Sequence, residues 1–140
     1  MDSNEVVNAF QNDSLGSDDA VGIADKIKKG ELSASLVTQD AIERAKAVNP
    51  KLNAITVENF DLARTNSEKP FSGFFQGVPT FIKDTDEVPG LPLYLGSRSL
   101  PGEPSDKYSK AAKQIIDTGL NCLGTTTTPE FGLTGTTESL

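Results

Sequence analysis

Two short runs with strand preference constrain this chain more than any other feature. The first is Gly77-Val78-Pro79-Thr80-Phe81-Ile82-Lys83-Asp84, where uncharged residues lead straight to one lysine. The second begins at Asn121-Cys122-Leu123-Gly124 and continues into Thr125-Thr126-Thr127-Thr128-Pro129-Glu130-Phe131-Gly132. Between them lie a long Pro- and Gly-bearing stretch and one helical pattern, too much chain for a hairpin. A strand, a crossover with a helix, and a second strand are compatible with a right-handed parallel unit.

The remaining elements fit an α/β layering. Asp18 or Asp19 can cap a helix running to about Lys29, with Ala20, Ala24 and Ile27 on one face and Gly30 as the stop. Ser33 can cap a second helix, striped by Leu36, Val37, Ala41, Ile42, Ala45 and Val48 and ended by Asn49-Pro50. Ala54 to Val57 reads as a short strand, and a third helix follows from about Asn59 to Asn66. Asp106 can cap a fourth, with Ala111, Ala112, Ile115 and Ile116 as its apolar face and Gly119 at the left-handed position after it. Residues 1–17 are polar and are expected to form a flexible arm, with a short helical turn around Val6 to Phe10; residues 18–140 form the body.

Composition removes several chemistries. The 140 residues include no histidine, which excludes a Ser-His-Asp triad, a Cys-His dyad and a His-ligated zinc site supplied by this chain alone. Cys122 is the single cysteine, so no internal disulfide or CxxC site exists, and its apolar neighbours predict a buried, inert thiol. The net charge of -7 argues against a nucleic-acid or anionic-membrane surface. No stretch approaches the roughly 20 apolar residues that span a bilayer, and the N-terminus lacks a signal-peptide pattern. A cytoplasmic protein with no metal and no cofactor is expected.

Lys83 is the leading candidate for chemistry. One reading is a strand-end lysine whose stem packs while its ammonium reaches water or pairs with Asp84. The other is a desolvated lysine whose proton affinity falls far enough for it to act as a base. Asp84, Asp86 and Glu87 begin like a calcium loop, but Pro89 stands where that loop requires glycine. They are expected to form a solvated acidic turn, with Asp84 able to orient neighbouring backbone N–H groups. Ser97, Ser99 and the threonines from Thr125 to Thr128 match neither a nucleophile elbow nor a P-loop, and their hydroxyls are expected to satisfy turns. Phe71, Phe74 and Phe75 are expected to pin their loop onto the core. The loop from Asp84 to Pro104 is long enough to suggest a functional role.

Taken together, these runs resemble the amidase signature family over roughly residues 18–140. Arg44, Val48, Asn49-Pro50 and Leu52-Asn53-Ala54 are similar to its R-x-x-x-V-N-P-x-L-N-A segment. Gly77-Val78-Pro79 to Lys83-Asp84 resembles its G-[VI]-P-x-x-x-K-D motif, and Gly90-Leu91-Pro92 and Gly96-Ser97 fit the loop after it. Gly119 to Gly124, then Thr126, Pro129, Glu130 and Phe131, resemble its A-G-A-x-x-x-G-K-T-N-x-P-E-F stretch, with Gly124-Thr125-Thr126-Thr127 replacing Gly-Lys-Thr-Asn.

The resemblance implies an α/β fold with a mixed central β-sheet covered by α-helices. It also implies cleavage of a carboxamide C–N bond through a Ser–cis-Ser–Lys triad. Lys83 would be the triad lysine, and Thr126, Thr127, Thr128 and Glu130 would lie beside the substrate, a small-molecule amide. The family's Gly-Gly-Ser-Ser-Gly-Gly segment is absent from these 140 residues. The expectation is an N-terminal amidase portion, inactive alone. Its candidate partners are the remaining C-terminal part of an amidase or another copy of itself.

Overall fold

A computed structural model describes residues 6–138. Four α-helices, α1 (Ala20–Lys28), α2 (Ala34–Leu52), α3 (Phe60–Ser67) and α4 (Lys110–Asp117), surround three strands, β1 (Ile55–Glu58), β2 (Pro79–Lys83) and β3 (Asn121–Thr126). A short 3-10 turn, Glu130–Gly132, closes the order. The strands form one sheet in the order β1-β3-β2, with β2 parallel and β1 antiparallel to β3. The expected mixed α/β sheet is therefore present, and β2 and β3 are the parallel pair joined through α4.

Local chemistry accounts for most element ends. The Asp19 carboxylate accepts the Gly22 N–H at 2.8 Å to start α1, and the Ser33 hydroxyl accepts that of Leu36 at 3.1 Å to start α2. α2 runs past the expected stop at Asn49-Pro50 and keeps Pro50 within its last turn. The ring removes only one donor there. The helix ends where Asn53 adopts a left-handed conformation and donates its N–H to the Asn49 carbonyl at 2.7 Å. The Asn49 side-chain oxygen takes the Ala54 and Ile55 amides at 2.9 and 3.0 Å and launches β1.

α4 starts later than the Asp106 cap predicts. Ser105 is already held by the Leu91 carbonyl at 3.0 Å, within a segment bridged to Pro89 and Pro92. Ser109 caps instead, accepting the Ala112 N–H at 3.1 Å. Of the expected apolar face, Ala112 is buried and Ile116 half-buried, while Ala111 and Ile115 are exposed.

Alternation along the strands divides the core. Phe81 and Leu123 pack with Ile42, Ala45, Phe60 and Ala63 under α2 and α3. Ile82 and Cys122 pack on the other face with Val88, Leu91 and Ala112. Cys122 is buried as expected, and burial pushes its thiol up from the ordinary value. A third cluster joins Leu15, Ile23, Ala24, Val37 and Val78.

Leu15 belongs to the segment expected as an arm. The helical turn expected at Val6 to Phe10 is absent, and the turn falls instead at residues 14–17. There Asp13 pairs with Arg44 of α2 at 2.6 Å, and the Ser14 N–H reaches Asp40 at 2.9 Å. Among the three phenylalanines, Phe75 packs against the third cluster and Phe71 is half-buried. Phe74 remains 61 % exposed, so the pinning expected of all three holds for two.

Candidate active site

The candidate residues gather where β2 and β3 end side by side. Lys83 is paired in register with Thr126, and Ile82 with Thr125. The period of two sends Lys83 and Asp84 to opposite faces. The Lys83 side chain is exposed, and its ammonium makes no hydrogen bond or ion pair with the described residues. The residue desolvated at the strand end is Asp84, at 0 % exposure. Of the two readings open for the lysine, the ammonium reaches water, and it does not pair with Asp84.

The Asp84 carboxylate faces a loop that returns to it. One oxygen accepts the Tyr94 N–H at 3.2 Å and the other the Gly96 N–H at 3.3 Å, while the Asp84 N–H donates to the Thr126 carbonyl at 2.9 Å. Burial raises the proton affinity of the carboxyl, and the two amides partly oppose the rise. The orienting role expected for Asp84 is present. The solvated acidic turn is not: Asp86 accepts from Ser109 at 2.6 Å and Glu87 from Ser105 at 3.2 Å.

Above Asp84 lies a cleft of about 630 Å³, lined by residues 94, 96–98, 100 and 127–130 among others. It brings together three of the four residues expected near substrate: Thr127, Thr128 and Glu130. Lys83 and Thr126 stand beside it and do not line it. The two loop walls are fastened to one another. Ser97 Oγ donates to Glu130 Oε1 at 2.6 Å and lies 2.8 Å from Ser99 Oγ, and the Phe131 N–H donates to the Leu95 carbonyl at 2.8 Å. Leu95 and Phe131 both hold left-handed backbone, φ 50° and 51°, a conformation costing a non-glycine residue roughly 1–2 kcal/mol.

Gly96 allows the closest approach. A side chain there would put its Cβ 2.2 Å from the Thr128 carbonyl oxygen. Ser97 was legible in the sequence only as a turn hydroxyl; its bond to Glu130 spans 33 positions and has no local signature. Two threonine hydroxyls at this strand end, those of Thr125 and Thr128, are buried without a partner. Each such group costs about 1–3 kcal/mol until one is found.

A mixed sheet with a lysine at the end of a parallel strand, beside a loop-walled cleft, defines an α/β protein with an enzyme-like site. Comparison with known proteins supplies the family. The family model for amidases matches residues 36–140. The putative amidase AmiC of Mycobacterium leprae (strain TN) is 41 % identical over 134 residues, covering 96 % of this chain and 29 % of that protein. The 6-aminohexanoate-cyclic-dimer hydrolase of Paenarthrobacter ureafaciens is 33 % identical over 123 residues, covering 86 % of this chain and 25 % of that one. Among solved structures, a 6-aminohexanoate cyclic dimer hydrolase complexed with substrate superimposes with a TM-score of 0.77 at 33 % identity, covering 87 % of this chain and 26 % of that one. A bacterial aryl acylamidase of the amidase signature family gives 0.76 at 28 % identity, covering 86 % and 27 %. The chain belongs to the amidase signature family, and it spans 25 to 29 % of the length of the relatives it matches. No helix among the described residues is long and apolar enough to cross a membrane.

Proposed function

We propose that this chain is the N-terminal portion of a hydrolase that cleaves a carboxamide C–N bond of a small-molecule amide. Lys83 is its proton acceptor in a Ser–cis-Ser–Lys triad. In this reading the neutral lysine takes the proton of the cis-Ser, which deprotonates the nucleophilic serine. That serine attacks the amide carbonyl, and water resolves the acyl-enzyme. Thr126, Thr127, Thr128 and Glu130 lie along the substrate. The observation that carries the reading is Lys83 itself, presented uncommitted at the end of β2 and in register with Thr126, within the stretch that matches the amidase family. We place it in the cytoplasm, a setting that an acidic chain with a buried free thiol fits.

The serines come from outside these 140 residues, so the chain alone is inactive. A second reading, assembly with a separate chain that carries them, is favoured by one observation. β1 and β2 each pair on one side only among the described residues, and open strand edges recruit further strands. The test is to assay the purified chain on aryl and aliphatic amides, alone and mixed with a polypeptide that runs from the Gly-Gly-Ser-Ser-Gly-Gly segment of a relative to its C-terminus. Turnover only in the mixture, abolished by Lys83→Ala, is expected. Turnover by the lone chain, or a mixture indifferent to Lys83, would overturn the reading.

A further inference from the structure

No polar partner among the described residues holds the Lys83 ammonium, so its place depends on how the backbone of residues 82–86 is fixed. Ile82, 2 % exposed, is packed in the core. The Asp84 N–H donates to the carbonyl of Thr126, the register partner of Lys83, at 2.9 Å. The Lys83 carbonyl accepts the Asp86 N–H at 3.0 Å. These bonds tie the strand end to β3 and to its own turn. The Asp84 side chain adds a longer tie. Its carboxylate reaches ten and twelve positions along the chain to the amides of Tyr94 and Gly96. That loop is fastened in turn to the segment after β3, through the Phe131 N–H on the Leu95 carbonyl and through Ser97 on Glu130. The carboxylate is a costly group for the task. It is fully buried and makes no ion pair among the described residues. Its two hydrogen bonds, at 3.2 and 3.3 Å, lie at the long end of the range. A buried ionisable group held on such terms adds little to stability, which points to a gain in geometry instead.

We propose that Asp84 is a positioning residue for Lys83: by stapling the returning loop to the end of β2, its carboxylate fixes the lysine relative to residues 126–130. The proposal rests on the triad reading of Lys83 and deepens it. Asp84 acts here through the backbone it anchors, since the two side chains leave the strand on opposite faces. A reacting group displaced by about 1 Å can lose about 10²-fold in rate, so a staple that contributes little to folding can still govern turnover.

The test follows two variants in the reconstituted mixture and in the lone chain. Asp84→Asn keeps the side-chain shape and one acceptor oxygen; Asp84→Leu keeps no acceptor. In the mixture kcat is expected to fall about 10-fold for Asp84→Asn and about 100-fold for Asp84→Leu, with KM within about threefold of the parent. Added to Lys83→Ala, Asp84→Asn is expected to leave the residual turnover unchanged, because a residue that acts through Lys83 then has nothing to position. In the ¹⁵N-labelled lone chain, the backbone order parameter at Lys83 is expected to fall from parent to Asp84→Asn to Asp84→Leu, while those within α2 stay level. Should Asp84→Leu not fold, Asp84→Asn carries every arm. A variant with the parent's kcat, a loss carried by KM alone, an equal loss in the Lys83→Ala background, or unchanged order at Lys83 overturns the proposal. The two readings fail separately. Lys83→Ala as active as the parent removes the triad reading and this proposal with it; collapse with Lys83→Ala beside unaffected Asp84 variants removes this proposal alone.

Discussion

Ser97 Oγ and Glu130 Oε1 stand 2.6 Å apart and join two loops separated by 33 positions of sequence. One loop is pinned below by Asp84 through Tyr94 and Gly96, and the other continues directly from β3. Asp84, the returning loop and the Pro129-Glu130-Phe131 turn thus form one hydrogen-bonded wall. Lys83 sits outside it. Framework and candidate base are neighbours in sequence and separate in contact.

Ser97→Ala tests that wall. A hydrogen bond to a charged group contributes about 1.5–3 kcal/mol in favourable cases, and the exposure of Glu130 places this one at the lower end. The substitution is expected to speed hydrogen exchange at the Phe131 amide, which bonds the Leu95 carbonyl at 2.8 Å, while exchange within β3 stays unchanged. Equal protection at Phe131 in both proteins would show that Ser97 does not hold the turn.

Gly96→Ala is the more severe change. Its φ of +66° is left-handed, and the added Cβ would lie 2.2 Å from the Thr128 carbonyl oxygen, a backbone atom that cannot swing away. The conformational cost alone is roughly 1–2 kcal/mol, before the overlap is relieved. Urea unfolding is expected to show a lower midpoint and loss of the Asp84 contact to residue 96. A midpoint within error of the parent would mean that the loop is free to lift off Thr128.

Asp84 and Asp13 predict opposite responses to acid. Burial holds the Asp84 carboxyl above its ordinary value, so folding favours its protonated form. Stability linked to Asp84 is fully present below the unfolded value and is lost as pH rises through the raised folded one. Asp13 is held below its ordinary value, first by its hydrogen bond to Arg44. Its contribution is present above the unfolded value and is lost as pH falls through the lowered folded one. On acidification from neutral pH the parent is therefore expected to gain stability relative to Asp84→Asn and to lose it relative to Asp13→Asn. Urea midpoints measured across the carboxylate range check both signs, and two curves of the same slope would contradict the assignment.

How far the sequence showed this arrangement depends on distance along the chain. The Ser33 cap, the Gly119 stop and the strand leading to Lys83 rest on neighbours a few residues away, and each stands in the structure. The crossover with its helix was compatible with the parallel pairing of β2 with β3 that the structure shows, and the family resemblance implied a mixed sheet. The burial of Asp84 did not follow from Lys83-Asp84-Thr85. It requires the amides of Tyr94 and Gly96, supplied by a loop of irregular backbone with no periodicity to read. The choice of Ser109 over Asp106 as the α4 cap has the same origin. Residues 104 and 105 are claimed by bridges to Pro92 and Pro89, so the chain turns helical only afterwards.

Lys83→Ala separates a catalytic role from a structural one. The side chain is exposed and contacts no polar partner among the described residues, so its removal is expected to change unfolding free energy by no more than about 0.5 kcal/mol. Loss of a proton acceptor, by contrast, typically lowers turnover by about 10²- to 10⁴-fold. In the reconstituted mixture the variant is expected to keep its melting behaviour and its affinity for the complementing chain while amide hydrolysis collapses. Lys83→Arg should fare no better, because a guanidinium stays protonated and cannot accept the proton. A destabilised Lys83→Ala chain, or one that keeps its activity after complementation, would assign the lysine to the scaffold and require another base for the reaction.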